Sequence, residues 1–210
     1  MITLHHLNRS RSKRIIWLLE EIGQPYKIEA YQRDAESSLA PDSLKAIHPL
    51  GKSPVIEEDG VVIAESGAIV EYLVDKFAAD RLAPERATSE YAEYLQWIHF
   101  AESSAMLPLL LRMFLQRDGA KTNFVGDYAD AETAKVLGHL NTSLEGKRYL
   151  VGDKLSGADI MMSFVVGALE QSETIGFFPA LEAYLKQLRT HEGCLKADAV
   201  ERELDSSIDQ

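Results

Sequence analysis

A single cysteine, Cys194, stands among the 210 residues. One thiol forms no internal disulfide, no CxxC redox pair and no multi-cysteine zinc site, which suits a reducing compartment. Positive charge is in the minority, with 22 Lys and Arg against 33 Asp and Glu and a net charge of −11. That balance argues against a nucleic-acid binder built on phosphate contacts. Long apolar runs are scarce too: the longest nearly apolar stretch, Ile160 to Leu169, has about half the roughly 20 residues a membrane span needs. Met1 to Arg14 is polar and basic, without the apolar segment of a secretory signal. No group of His, Cys, Asp and Glu has metal-site spacing. These exclusions leave a soluble, cytoplasmic globular chain. At 46% hydrophobic, it is long enough for one or two domains and a core without staples.

The first 80 residues alternate element types. Ile2 to Leu4 predicts a strand. Ile15, Leu18, Leu19 and Ile22 recur at the spacing of one helix face, and Gly23 and Pro25 end that helix. Tyr26, Ile28 and Ala30 alternate as a second strand, parallel to the first. A short helix at Asp42 to Ile47 follows. Val55–Ile56 and Val61–Ala64 flank Asp59–Gly60, a strong hairpin signal. Ser66 to Phe77 then reads as a helix, giving the order β-α-β-α-β-β-α, whose ligand site lies in loops at one sheet edge.

Beyond about residue 85 the strand signals vanish. Tyr91, Tyr94, Leu95, Ile98 and Ala101–Ala105 predict a long helix running to about Pro108, with apolar character continuing through Phe114. Further helices are expected near Asp130–Leu144, Ala158–Glu170 and Pro179–Arg189. The change from alternating elements to helices alone marks a boundary, with Asp80–Arg86 as linker, residues 1–80 as one domain and 86–210 as another. The acidic tail after Lys196 has little to pack and is expected to fray.

Three stretches of the first domain could carry chemistry. In Lys52-Ser53-Pro54-Val55-Ile56, a proline opens a strand after a loop. Its bond is either an ordinary trans one or a cis turn. In the cis geometry, Ser53 would offer backbone groups to an extended peptide. Glu65-Ser66 stands at the hairpin's exit into a helix, where Ser66 is a good N-cap. Free N–H groups there suit an anion, and Glu65 suits an ammonium. The alternative is a plain cap beside a surface glutamate. In Ser10-Arg11-Ser12-Lys13-Arg14, two hydroxyls and several cations stand at a helix N-terminus, where a thiol loses its proton more readily. There too, the serines could simply cap the helix.

Taken together, Ser10 to Glu21, His48-Pro49-Leu50-Gly51-Lys52-Ser53-Pro54-Val55-Ile56 and Glu65-Ser66 resemble a glutathione S-transferase. Gly152 to Ile160 is similar to that family's folding motif, a capping box with Ser156 as N-cap and Asp159 at N3. Trp97 to Pro108 is similar to a stretch in its microbial branch that uses serine rather than tyrosine. The resemblance covers nearly the whole chain, in order and spacing.

The resemblance implies an α+β two-domain protein, with a thioredoxin-like N-terminal domain that binds glutathione and an all-α C-terminal domain. Glu65 and Ser66 would hold the γ-glutamyl ammonium and carboxylate. Ser53, before a cis Pro54, would pair its backbone with the cysteinyl part, and Lys52 would lie near a ligand carboxylate. Ser10, four residues before Arg14, would donate a hydrogen bond to the thiolate, with Ser12 as glutathione-binding neighbour or alternative donor. The family often has valine where Ser53 stands. With no cysteine before Cys194, mixed-disulfide chemistry is excluded, and Cys194 reads as structural.

The resemblance also implies a hydrophobic electrophile in a cleft between domains, against Phe100, Ser104 and Met106 beside Trp97. It implies a cytoplasmic, detoxifying homodimer in which Ser66–Phe77 packs on the partner's long helix and Glu102 reaches toward the neighbouring glutathione. Glutathione enters as co-substrate, with no cofactor, metal, nucleic acid or membrane involved. Glutathione-dependent peroxide reduction, dehalogenation and a non-catalytic glutathione-binding scaffold are the alternatives from the same residues. His5, His6 and His99 read as strand and helix residues without a chemical role.

Overall fold

The computed structural model describes residues 1–119, 121–170 and 173–206. The chain divides into two compact units, Met1–Ala79 together with the segment from Arg189 onward, and Asp80–Leu188.

The first unit is built on a four-stranded sheet of order β2-β1-β3-β4. Strand β1 (Ile2–Leu7) pairs in parallel with β2 (Tyr26–Tyr31) and antiparallel with β3 (Val55–Glu58), which continues antiparallel to β4 (Val61–Ala64). Helix α1 (Lys13–Ile22) buries Ile15, Ile16, Leu18, Leu19 and Ile22. It stops where Gly23 turns left-handed at φ 76° and returns its N–H to the Leu19 carbonyl, a conformation glycine adopts without penalty. Helix α2 (Asp42–Ile47) leads into the β3–β4 hairpin. Asp59 and Gly60, both at positive φ, form its turn. Helix α3 (Ser66–Phe77) buries Ile69, Val70, Leu73 and Val74.

The end of the chain departs from the expectation of a frayed tail. Helix α9 (Glu192–Ser206) packs along α1, so residues from Arg189 belong with the first unit and not with the helices that the sequence pattern grouped as 86–210. The acidic residues that looked unpackable are the reason. Asp198 and Glu201, one turn apart on α9, both reach Lys13 on α1, at 2.7 and 2.8 Å. Cys194 and Ala197 are buried on the same face, where burial pushes the Cys194 thiol pKa up. Gly193 permits close approach: a Cβ there would stand 2.7 Å from Trp17 Cδ1 and 2.6 Å from Glu21 Oε1.

The second unit contains α4 (Ser89–Glu102), α5 (Met106–Asp118), α6 (Val125–Leu144), α7 (Gly157–Gly167), a 3-10 turn at Glu173–Phe177 and α8 (Pro179–Leu188). The long helix expected through Pro108 is broken. Ser103 leaves helical geometry at ψ −86°, with both its N–H and its hydroxyl donating to the His99 carbonyl, at 3.1 and 2.8 Å. Pro108 then falls in the first turn of α5, where a missing N–H costs nothing. Taken across this break, Ser89–Asp118 is long and apolar enough to cross a membrane by length and composition alone. Its α4 part is a core helix of this unit, with Tyr94, Trp97, Ile98 and Ala101 buried.

The capping box at α7 forms as the sequence reads. Asp159 is fully buried. Its Oδ2 accepts from the Ser156 N–H and hydroxyl at 2.9 and 2.8 Å, and its Oδ1 from the Leu150 N–H at 2.9 Å and the Tyr184 hydroxyl at 2.8 Å. Burial pushes the Asp159 pKa up, against the pull of these four donors. One carboxylate thus ties the start of α7 to the segment before it and to α8.

Candidate functional site

Sheet register brings three loops to one end of the first unit. The pairing of His5 with Val55, continued two residues, sets Leu7 opposite Ser53. The pairing of Val55 with Ala64, continued one residue, sets Pro54 opposite Glu65. The loop between β1 and α1, the loop before β3 and the turn after β4 therefore share one edge. All the candidate glutathione residues lie on these loops.

The Ser53–Pro54 bond is cis, which settles the choice the sequence left open. The Ser53 hydroxyl donates to the His5 carbonyl at 2.8 Å and accepts from the Leu7 N–H at 3.2 Å. The side chain that stands where the family often has valine thus fastens the loop to the end of β1. Pro54 is buried and Lys52 exposed. Gly51, at φ 55°, turns the chain just before them.

At the start of α3 the sequence assignment needs correcting. Ser66 is the first helical residue and Glu65 occupies the cap position, at φ 69° and ψ 119° without a side-chain cap. The turn from β4 into α3 is tight enough to force a non-glycine residue into this region. Ser66 is buried and Glu65 exposed. The arrangement presents a carboxylate beside the unpaired N–H groups of a helix N-terminus, which suits a ligand carrying an ammonium and a carboxylate side by side.

The β1–α1 loop holds the third element. Ser10 and Ser12 are both buried, and their hydroxyl oxygens lie 2.7 Å apart. The Ser12 N–H donates to Ser10 Oγ at 3.2 Å. Ser12 is the N-cap residue of α1 without a side-chain cap. Ser12 Oγ also meets His6 Nδ1 at 2.8 Å and, more distantly, the Leu7 carbonyl at 3.4 Å. Burial lowers the His6 pKa, partly offset by Glu201 and Asp205 of α9. His6 lies in β1, as the sequence predicts. The β1–α1 turn, where Arg9 takes φ 51°, brings it to Ser12.

The cluster of cations from Arg9 to Arg14 is less open than the sequence suggests. Lys13 is engaged by Asp198 and Glu201, and Arg14 is buried. Arg9 is exposed and Arg11 half-buried.

In the helical unit, Phe100 is half-buried, Ser104 exposed and Met106 buried. Phe100 meets Trp97 edge-on at 5.3 Å, and Trp97 stacks on His139 at 5.4 Å.

Family models describe both units. Residues 1–75 match the glutathione S-transferase N-terminal domain, and 104–192 match the C-terminal domain. Glutathione S-transferase 3 of Schizosaccharomyces pombe is 34% identical over 188 residues, covering 81% of this chain and 75% of that protein. The chain belongs to the glutathione S-transferase family. Glutathione S-transferase 1 of Saccharomyces cerevisiae is 30% identical and matched over 99% of this chain and 98% of its own. A crystal structure of a glutathione S-transferase from Actinobacillus pleuropneumoniae superposes with a TM-score of 0.87 at 36% identity, over 96% of this chain and 93% of that one. The two-domain glutathione S-transferase fold, with a thioredoxin-like sheet unit and a helical unit, is thus the fold of this chain. Among the described residues, no group of His, Cys, Asp and Glu could hold a metal ion.

Proposed function

We propose that this glutathione S-transferase is of the serine type and conjugates glutathione to hydrophobic electrophiles. The observation that supports the reading is that the Ser10-bearing loop after β1, the cis Ser53–Pro54 bond and Glu65 at the start of α3 share one sheet edge.

In this reading Glu65 takes the γ-glutamyl ammonium, and the Ser66 hydroxyl and N–H take its carboxylate. The Ser53 backbone pairs with the cysteinyl part, and exposed Lys52 meets a ligand carboxylate. Ser10 donates a hydrogen bond to the sulfur, favouring thiolate over thiol, and the thiol proton leaves to solvent. The thiolate then forms the sulfur–carbon bond, displacing a leaving group with its electron pair or adding to an activated double bond. Ser10 neither attacks nor takes the proton. Phe100, Ser104 and Met106 are the residues assigned to the electrophile. The cytoplasmic location, the detoxifying role and the homodimer of the family reading belong to the same proposal.

The test is retention on immobilised glutathione, elution by free glutathione, and turnover with a chlorodinitroarene. The reading expects all three. Retention without turnover leaves a binding scaffold and contradicts it, and so does failure to bind.

A further inference from the structure

The chain of contacts from Ser10 through Ser12 to His6 has a direction, and the direction decides what Ser10 can do. Ser12 Oγ carries one proton and stands within hydrogen-bond distance of two strong partners, Ser10 Oγ at 2.7 Å and His6 Nδ1 at 2.8 Å. If Nδ1 has no proton, Ser12 donates to it, and the short contact between the serines then needs the Ser10 proton. Ser10 would turn inward and face a ligand only as an acceptor. If Nδ1 carries the proton, it donates to Ser12, whose own proton goes to Ser10 at 2.7 Å in preference to the Leu7 carbonyl at 3.4 Å, and the Ser12 N–H fills the remaining Ser10 lone pair at 3.2 Å. The Ser10 proton then has nowhere to go but outward.

We propose that His6 is a positioning residue that, acting through Ser12, turns the Ser10 proton toward the bound sulfur. The inference rests on the Ser10 reading above and adds a residue that touches neither substrate.

Two features of the site support the direction. His6 is almost completely buried, at 1% exposed, and its Nε2 has no hydrogen-bond partner among the described residues. A proton on Nε2 would be a buried donor without an acceptor, whereas a proton on Nδ1 lies on the Ser12 oxygen. Burial also favours the neutral ring, so a single proton chooses between the two nitrogens. A thiolate at Ser10 selects the same arrangement, because only the outward Ser10 proton meets the negative sulfur.

Two measurements test this. The first is nitrogen-15 NMR of histidine-labelled protein near neutral pH with glutathione bound as thiolate. The expected pattern has His6 Nδ1 protonated and Nε2 bare; Nε2 protonated and Nδ1 bare overturns the inference. The second compares the bound glutathione thiol pKa, read by ultraviolet absorbance, in wild type, Ser10→Ala, His6→Phe and His6→Asn. Asparagine can place an N–H near the Nδ1 position and phenylalanine cannot. The expected result is a rise on the order of one unit, about tenfold in thiolate affinity for a proton, in Ser10→Ala and His6→Phe. His6→Asn should restore most of it, with the glutathione KM little changed. A raised pKa in Ser10→Ala but an unshifted one in His6→Phe overturns the inference alone. Equal shifts in the two His6 variants also overturn it, since mere packing would explain them. An unshifted pKa in Ser10→Ala overturns the Ser10 reading, and the His6 inference with it. Where His6→Phe does not fold, the tautomer in the wild-type protein still decides.

Discussion

The Ser10 and Ser12 hydroxyl oxygens lie 2.7 Å apart, so the two serines that compete in the sequence for one role form a single hydrogen-bonded pair. Residues that act as a unit give non-additive losses. Ser10→Ala should lower kcat/KM about 100-fold, as loss of one preorganised donor does. Ser12→Ala should cost less, on the order of tenfold, because it acts through Ser10. The double variant should match Ser10→Ala. Steady-state kinetics of the four proteins check this, and losses that multiply would mean two independent roles.

Glu65 separates binding from stability. At φ 69° and ψ 119° a non-glycine residue stores about 1–3 kcal/mol of backbone strain. Glu65→Gly removes the strain and the carboxylate together. Thermal denaturation should show a Tm equal to or above wild type. The glutathione KM should rise about 10- to 100-fold, the worth of a hydrogen bond to a charged group. A lower Tm would show that the exposed carboxylate supports the fold.

Gly193 reverses a familiar rule. Glycine to alanine within a helix usually stabilises by about 0.4–1 kcal/mol. Here the added Cβ would stand 2.6 Å from Glu21 Oε1 and 2.7 Å from Trp17 Cδ1. It would also disturb the hydrogen bond from Trp17 Nε1 to Glu21 at 2.8 Å. Gly193→Ala should therefore destabilise by about 1–3 kcal/mol, as overpacking does. Tryptophan fluorescence during urea unfolding reads the change, and a stabilised variant would contradict the close approach of α9 to α1.

Asp159 anchors the helical unit. Asp159→Ala leaves the Leu150 and Ser156 N–H groups and the Ser156 and Tyr184 hydroxyls without their acceptor. A loss of about 3–5 kcal/mol is expected, in the range for breaking a buried polar network. Calorimetry checks it. A loss below about 1 kcal/mol would mean that the four donors find other partners.

Much of this architecture is legible in the sequence because it is local. Asp59–Gly60, Gly23 and the Ser156–Asp159 pair encode a turn, a stop and a cap within a few residues of chain, and the structure places each as read. What escaped depends on partners far apart in sequence. The acidic segment after Lys196 has no apolar pattern to announce a docked helix, and it is held to α1 by Asp198 and Glu201 reaching Lys13. The break between α4 and α5 falls at Ser103, whose ψ of −86° no sequence pattern announces. At the site, Ser10, Ser53, Glu65 and Ser66 could be named from their motifs. The approach of His6 to Ser12 could not be read, since it depends on a loop with Arg9 at positive φ. Ser66 as N-cap was the plausible reading of a serine before a helix, and the strained Glu65 displaced it.

In the proposed mechanism the Ser10 hydroxyl favours the glutathione thiolate. Ultraviolet titration of enzyme-bound glutathione in wild type and Ser10→Ala tests it most directly. A bound thiol pKa below its free value, roughly 8.5 for a cysteine thiol, is expected in wild type, with a return toward that value in Ser10→Ala. A pKa equal in the two proteins would contradict it, leaving Ser10 as part of the loop's structure only.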